Sequence, residues 1–288
     1  MRILSQMKTI PLLAAVLMLA ACSPISLANE LISRAGYHVV NDLAYGADPR
    51  QKLDLYVPDH PNGTVLVFFY GGGWQSGNKA MYPAFGQAFA AQGILTAVAD
   101  YRLHPQVRYP AFIEDSAKAT AYVRAHAAQY GGDAKKLFIS GHSAGAYNAM
   151  MLAADPKYLK AAGTDLNQVC GVIGIAGPYD FLPLTDPSYI ATFEGNNRPD
   201  TQPITYIDGK RPPMLLAYGT SDTTVEPRNS ISLAAKLRSF GSDVTVKAYP
   251  HTGHIGIIMS LEPGLRWTTG LRADMLEFIN KTAPVCRG

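Results

Sequence analysis

Charge of either sign is scarce in this chain. Only 16% of its 288 residues are Asp, Glu, Lys or Arg, and the formal net charge at pH 7 is +3. Globular proteins usually carry about 25% charged residues, and domains that bind nucleic acid carry a marked excess of Lys and Arg. The composition therefore predicts neither a nucleic-acid partner nor a polybasic patch for a membrane surface.

Cysteine is also rare, with three residues at positions 22, 170 and 286. No group of Cys and His residues has the spacing of a metal site, so the sequence predicts no metal and no cofactor. A chain of this length buries a large core without disulfides. The pairing of Cys170 with Cys286 is left open, because one begins a strand pattern and the other lies in the tail.

The chain also lacks an apolar run long enough to span a bilayer. Its longest apolar run lies near the N-terminus. Arg2 and Lys8 precede it without any acidic residue. The run from Ile10 to Ala21 is too short to span a bilayer, which is typical of an export signal. Its small residues immediately before Cys22 resemble the lipobox of bacterial lipoproteins.

This N-terminal pattern leads to an expectation about location. We expect a signal peptide over residues 1–21 and a linker over residues 22–36. The mature protein would be anchored at the outer membrane, face the periplasm, and touch the membrane only through a lipid on Cys22. The alternative is a secretory signal cleaved nearby, for instance after Ala28, which would give a soluble periplasmic or secreted protein.

The pentapeptide Gly141-His142-Ser143-Ala144-Gly145 stands between two different patterns. An apolar run precedes it, and an alanine-rich segment with helical spacing follows it. A G-x-S-x-G motif in that position is typical of a nucleophile elbow, whose serine has a strained backbone. Glycine is required on both sides because a Cβ there would collide with the neighbouring strand or helix. Ser143 is therefore the predicted nucleophile.

A serine nucleophile needs a base, and the base needs a carboxylate that fixes its tautomer. Asp222 and His254 each follow an apolar strand pattern, at the edge where parallel α/β sheets place their chemistry. The chain order Ser143, Asp222, His254 is that of hydrolases with a nucleophile elbow. We expect these three residues to be catalytic. The alternatives are His251 for the base, and Glu226 or Asp180 for the acid.

The glycine triplet Gly71-Gly72-Gly73 ends another buried-strand pattern, residues 64–70. Backbone N–H groups in such a run are free of side-chain obstruction and suit the hydrogen bonds that an oxyanion needs. We expect donors from Gly72 and Gly73, joined by the N–H of Ala144, the residue after the nucleophile. The register within the triplet is open by one residue, so Gly71 is the alternative.

Strand and helix patterns alternate along the chain, which predicts an α/β fold with a mostly parallel sheet, flanking helices and an antiparallel N-terminal edge. Residues 177–213 interrupt the alternation with many prolines and polar residues, so we expect a small cap over the site. Trp74, Tyr147 and Tyr179 are the expected substrate-binding wall. The strand patterns are residues 51–57, 65–70, 94–99, 137–140, 172–175, 214–218 and 244–249, and the helix patterns are residues 82–91, 113–130, 144–153, 229–240 and 265–281.

Together these motifs resemble the α/β-hydrolase esterases related to hormone-sensitive lipase and to the acetylxylan/feruloyl esterase and arylformamidase branches. The resemblance extends from Tyr37 to Thr282 and implies an α/β-hydrolase domain over residues 37–288. One departure is Tyr70, because many of these relatives have a histidine there that orders the glycine loop. The motifs that carry the resemblance are Leu53–Pro58, Tyr70–Trp74, Asp100–Leu103, Gly141–Gly145, Asp222 with Val225 and Pro227, and Gly253–His254.

The expected function is that of a serine carboxylic ester hydrolase, which acts on short-chain acyl or aryl esters through an acyl-enzyme on Ser143. Its partner is then a small-molecule ester. The first alternative is an amidase of the arylformamidase type, because the same triad serves an amine leaving group. The second is a non-catalytic binding protein on a hydrolase fold, which the joint presence of nucleophile, base, acid and glycine donors disfavours.

Overall fold

The computed structural model of the chain describes residues 32–286. The expected signal peptide, the lipidation site at Cys22 and most of the expected linker lie outside the described residues. The chain divides into two units after Ser33, and the fold described here is that of the second unit, which begins at Arg34.

Eight strands form one sheet, in the order β1-β2-β4-β3-β5-β6-β7-β8. Strands β1 and β2 pair antiparallel, as do β2 and β4, whereas every pair from β4 to β8 is parallel. The mostly parallel sheet with an antiparallel N-terminal edge is therefore confirmed. The strands are β1 (Tyr37–Ala44), β2 (Lys52–Pro58), β3 (Gly63–Phe69), β4 (Leu95–Ala99), β5 (Gly132–His142), β6 (Val169–Ile175), β7 (Met214–Gly219) and β8 (Val244–Tyr249).

Strand β1 was not predicted from the sequence. Its register with β2 shifts between Val40 and Leu43, and Asp42 in that irregularity has a positive φ of 57°. The irregularity interrupts the alternation of apolar and polar residues that identifies an edge strand. Strands in the middle of the sheet were easier to predict, because β3 is buried from Val65 to Phe69 and reads as one apolar run.

Helices cover both faces of the sheet and connect its parallel strands. The helix after the nucleophile, α3, is buried along its whole length. The last helix begins six residues later than its pattern predicted, because the preceding residues form a 3₁₀ turn at Pro263–Leu265 and Gly270 is the N-cap of the helix. The helices are α1 (Pro83–Ala90), α2 (Ala111–His126), α3 (Ala144–Ala154), α4 (Lys157–Ala161), α5 (Pro187–Phe193), α6 (Arg228–Ser239), α7 (His254–Met259) and α8 (Leu271–Thr282).

The segment between β6 and β7 contains the short helix α5 and two 3₁₀ turns, Pro199–Thr201 and Pro203–Tyr206. The rest of the segment is irregular, as its proline content predicts. Its residues lie beside the carboxyl ends of β5 and β7, which brings the segment over the predicted site. None of the helices in the described part of the chain has the length and apolar character needed to cross a membrane.

Candidate active site

Ser143 lies in a sharp turn between β5 and α3, with φ 54° and ψ −122°. Its N–H donates to the carbonyl oxygen of Ile175 at 2.9 Å, which ties the turn to the end of β6. A Cβ on Gly141 would overlap the backbone of Gly145, and one on Gly145 would overlap the carbonyl of Phe69 in β3. Both glycines of the motif are therefore required by the close approach of strand and helix.

The three predicted catalytic residues form one chain of hydrogen bonds. The hydroxyl of Ser143 lies 2.8 Å from Nε2 of His254, and Nδ1 of His254 lies 2.7 Å from Oδ2 of Asp222. In the productive tautomer Nδ1–H donates to the carboxylate, which leaves Nε2 free to accept the serine proton. Asp222 follows β7, and His254 begins α7 just after β8, so adjacent strand ends position both side chains.

Asp222 is held as a carboxylate although its side chain is fully buried. Burial alone would raise its pKa, but hydrogen bonds from His254 and from the N–H groups of Val225 and Thr224 lower the pKa below the usual value. Those two N–H groups donate to Oδ1 at 2.8 and 2.9 Å. The acid is therefore charged and fixed in orientation when the imidazole must accept a proton.

The structure does not bring the alternative residues into this chain of hydrogen bonds. His251 is exposed, and its N–H donates to the hydroxyl of Thr220. Glu226 is exposed and pairs with Arg228 at 2.9 Å. Asp180 has no side-chain hydrogen bond to His254 among those of the described residues.

Of the three residues expected to supply oxyanion donors, Gly73 and Ala144 line a cavity beside Ser143 and Gly72 does not. Ala144 is the first residue of α3, so its N–H has no partner within the helix. Gly72 is not part of the cavity wall; its carbonyl accepts the N–H groups of Gln75 and Ser76 and closes the loop. The N–H groups of Gly73 and Ala144 are thus the best-placed pair beside the nucleophile.

The cavity has a volume of about 290 Å³ and opens beside Ser143. Its aromatic wall consists of Trp74, Phe181 and Tyr189, and the cap supplies the last two. The polar part of the wall comes from the cap, from the loop after β7 and from the start of α6. The polar or charged residues of the wall include Asp186, Thr223, Thr224, Glu226, Arg228 and Asn229.

The prediction of the cavity wall was wrong for two of its three residues. Trp74 lines the cavity, but Tyr147 and Tyr179 are fully buried and do not reach it. Tyr147 packs edge-on against Trp74 and donates its hydroxyl to the carbonyl of Thr201 at 2.7 Å, so it supports the wall from behind. Tyr179 lies against Gly174 and Gly177, where any Cβ would overlap its ring or hydroxyl. Phe181 and Tyr189 were missed because the irregular cap has no periodicity that separates inward from outward side chains.

His142, the variable residue of the serine motif, also contacts the triad. Its Nε2 lies 3.1 Å from the carbonyl oxygen of His254 and donates to it. Burial and the neighbouring His254 lower the pKa of His142 to about 3, so the ring is neutral near pH 7. Its Nδ1 has no hydrogen-bond partner among the described residues. The same residues contain no group of three or more His, Cys, Asp or Glu placed to hold a metal ion.

A serine elbow with an acid and a histidine from later strand ends defines an α/β-hydrolase. The chain belongs to the BD-FAE family, whose model matches residues 53–237. The probable isoprenylcysteine alpha-carbonyl methylesterase ICMEL1 of Arabidopsis thaliana is 28% identical, over 77% of this chain and 52% of the relative. Esterase LipC of Mycobacterium tuberculosis is 31% identical, over 73% of this chain and 58% of the relative.

A solved structure described as a truncated form of a carbohydrate esterase from gut microbiota is similar in fold. Its TM-score is 0.75 at 21% identity, and the match covers 88% of this chain and 99% of that chain. The chain spans between half and three fifths of the length of the two curated relatives above. The family match and the esterase relative LipC confirm the resemblance to α/β-hydrolase esterases, and this structural likeness confirms the predicted fold class.

Proposed function

We propose that the chain is a serine carboxylic ester hydrolase that acts on small acyl or aryl esters. The observation that carries the proposal is the continuous hydrogen-bonded chain from Asp222 through His254 to Ser143, which opens into a cavity whose wall includes the expected oxyanion donors Gly73 and Ala144. Curated relatives with esterase and methylesterase names support the same class of reaction.

The geometry supports a two-step reaction through an acyl-enzyme. Ser143 Oγ attacks the ester carbonyl while His254 Nε2 takes the hydroxyl proton. The negative oxygen of the tetrahedral intermediate accepts from the N–H groups of Gly73 and Ala144. His254 then gives its proton to the leaving alcohol oxygen, and the acyl group stays on Ser143. Water repeats the attack with the same base, and the acid is released.

The size of the cavity supports a small acyl group. A volume of about 290 Å³ lies at the low end of the range for small-molecule pockets, roughly 300–1,000 Å³. The proline-rich cap supplies one short helix of seven residues rather than a long apolar lid. We therefore infer a preference for acyl groups of about two to six carbons, in which each buried methylene adds up to about 0.8 kcal/mol until the cavity is full.

A matched pair of substrates tests the reaction class. Purified protein is assayed with an aryl ester and with the amide of the same acyl group, and a fluorophosphonate reports the reactivity of Ser143. We expect faster ester hydrolysis together with labelling of Ser143. Faster amide hydrolysis would favour the arylformamidase type, and an unlabelled Ser143 with no turnover would favour a binding protein.

We also propose that the protein is exported and anchored through a lipid on Cys22. The disulfide between Cys170 and Cys286 supports an oxidising compartment. The test is fractionation of wild type and Cys22→Ala cells, with metabolic labelling by a fatty-acid analogue. Lipid label and membrane recovery that both depend on Cys22 would support the anchor, whereas release of an unlabelled wild-type protein would favour the secretory alternative.

A further inference from the structure

The glycine loop between β3 and α1, residues 71–77, carries the expected oxyanion donor. The carbonyl of Gly72 accepts the N–H groups of Gln75 and Ser76 at 3.1 and 3.0 Å, and this turn fixes the interior of the loop. The turn does not fix where the loop lies relative to Ser143. That placement depends on the two ends of the loop, at Tyr70 and Gly77.

Arg50 joins those two ends. Its Nη2 donates to the hydroxyl of Tyr70 at 2.6 Å and to the carbonyl oxygen of Gly77 at 2.9 Å. Its Nε donates to the carbonyl oxygen of Tyr101 at 3.0 Å, which anchors the guanidinium to the end of β4. A planar guanidinium presents these donors in fixed directions, whereas a lysine ammonium offers a single point of attachment.

The ring of Tyr70 forms the surface on which the loop closes. The ring is fully buried and stacks on Tyr82 and Tyr101, with ring centroids 5.7 and 4.8 Å away. Gly77 approaches it so closely that a Cβ would lie 2.8 Å from the ring, and Gly77 has a positive φ of 98°. Burial and the nearby Asp100 carboxylate raise the pKa of Tyr70, so its hydroxyl stays protonated.

The same loop touches the nucleophile on its other side. A Cβ on Gly71 would lie 3.0 Å from Cβ of Ser143, so the loop backbone packs directly on the elbow. Gly73, two residues on, lines the cavity with Ser143. Because the turn between the two ends is closed, a shift at Tyr70 or Gly77 displaces the N–H of Gly73.

We propose that Arg50 and Tyr70 are a positioning pair that places the oxyanion-binding N–H of Gly73. At position 70, therefore, a tyrosine orders the glycine loop together with an arginine rather than by itself. The proposal rests on the proposed ester hydrolysis, and neither side chain of the pair lines the cavity. A displaced oxyanion donor weakens binding of the transition state far more than binding of the neutral ester, so loss of the pair lowers kcat and leaves KM unchanged.

The test uses two variants. Tyr70→Phe removes the acceptor for Arg50 together with the hydrogen bond between Tyr70 and Asp100, whereas Arg50→Lys keeps the charge and Tyr70 but removes the planar donors. With a short aryl ester we expect kcat to fall at least about tenfold in each variant and KM to stay within about twofold. The rate of inactivation by a fluorophosphonate should fall in parallel, because attack on phosphorus also builds negative charge on an oxygen.

Tyr45→Phe is the matched control. The hydroxyl of Tyr45 donates to the carbonyl of Asp100 at 2.6 Å, in the same region, and this hydrogen bond does not involve the glycine loop. Its kcat should stay within about twofold of wild type, and thermal melting checks that every variant is folded. If Tyr70→Phe does not fold, Arg50→Lys decides the result.

Three outcomes would overturn the proposal that Arg50 and Tyr70 are a positioning pair. They are a wild-type kcat in both folded variants, a rise in KM without a fall in kcat, and a fall in the kcat of Tyr45→Phe as large as that in the two variants. These outcomes are separate from a failure of the proposed function. A wild-type protein that hydrolyses no ester would contradict the function, while the fluorophosphonate rates of the variants would still test the pair.

Discussion

Ser143 combines a strained backbone with a reactive side chain. A non-glycine residue in such a sparsely populated conformation costs about 1–3 kcal/mol, and the surrounding strand, helix and glycines hold it there. The strained turn at Ser143 was predictable from the sequence because the requirement for two flanking glycines is local. It could not reveal the contact of His142 with the carbonyl of His254, because those residues lie 112 positions apart.

Loss of the nucleophile should separate activity from stability. We expect Ser143→Ala to lower kcat on the order of 10⁶-fold, because the attacking atom is gone, while the melting temperature changes little. Ser143→Gly is the matched variant, and it should melt at a higher temperature because glycine tolerates the positive φ. Ester turnover and thermal melting measure both effects. Near-normal turnover in Ser143→Ala would refute the assigned nucleophile.

The buried His142 should make the fold sensitive to acid. Its pKa is about 3 in the folded protein and about 6.5 when unfolded, so between these values the unfolded state binds more protons. The free energy of unfolding therefore rises with pH across this window. The stability that the neutral His142 contributes is lost as the pH falls through the same window. The contribution of Asp222 to stability is also lost in acid. Because its pKa is lowered from the ordinary value of 3.8, that loss occurs at lower pH.

Melting curves between pH 7 and pH 4 test this effect of His142. We expect the melting temperature of wild type to fall more steeply than that of His142→Gln, which keeps a side-chain donor for the carbonyl of His254. Parallel curves for the two proteins would show that the protonation of His142 does not limit acid stability.

At the scale of elements, buried parallel strands were predictable and the cap interior was not. Strand β3 reads as a continuous apolar run because both of its faces are covered. Helix α7 has only six residues and was not predicted, although it begins with His254. The cap places Phe181 and Tyr189 in the cavity through irregular backbone, and it leaves Tyr179 beneath the end of β6. Which aromatic side chains of the cap face the cavity depends on tertiary contacts rather than on the local sequence pattern.

The cap wall gives a prediction about acyl length. On aryl esters of increasing chain length, wild-type kcat/KM should peak at about two to six carbons and fall at least about tenfold at twelve. Phe181→Ala enlarges the cavity, so its maximum should move to longer chains. Tyr147→Phe should keep the wild-type profile and lose about 1 kcal/mol of stability, because it removes only the hydrogen bond to Thr201. An unchanged profile in Phe181→Ala would remove that residue from the acyl wall.

At the scale of the whole molecule, the active site and the disulfide lie toward opposite ends of β6. Cys170 is near the first residue of this strand, and the carbonyl of Ile175 at its last residue accepts the N–H of Ser143. Five residues of strand separate these points by roughly 17 Å. The sequence left the pairing of the two cysteines open because nothing local brings the C-terminal tail to β6. The fold does so through α8. This helix ends at Thr282, and a single 3₁₀ turn, Ala283–Val285, then leads to Cys286.

Removal of the disulfide should therefore lower stability without changing catalysis. The bond joins residues 116 positions apart, and a loop of this size restricts the unfolded chain enough to contribute about 2–5 kcal/mol. We expect the Cys170→Ala/Cys286→Ala variant to unfold at lower denaturant concentration than wild type, with kcat and KM within about twofold. A reductant should destabilise wild type and leave the double variant unaffected, which separates the bond from the lost sulfur atoms. Equal denaturation midpoints for oxidised wild type and the double variant would show that the cross-link contributes nothing, and a large fall in kcat would show that the two ends of β6 are coupled.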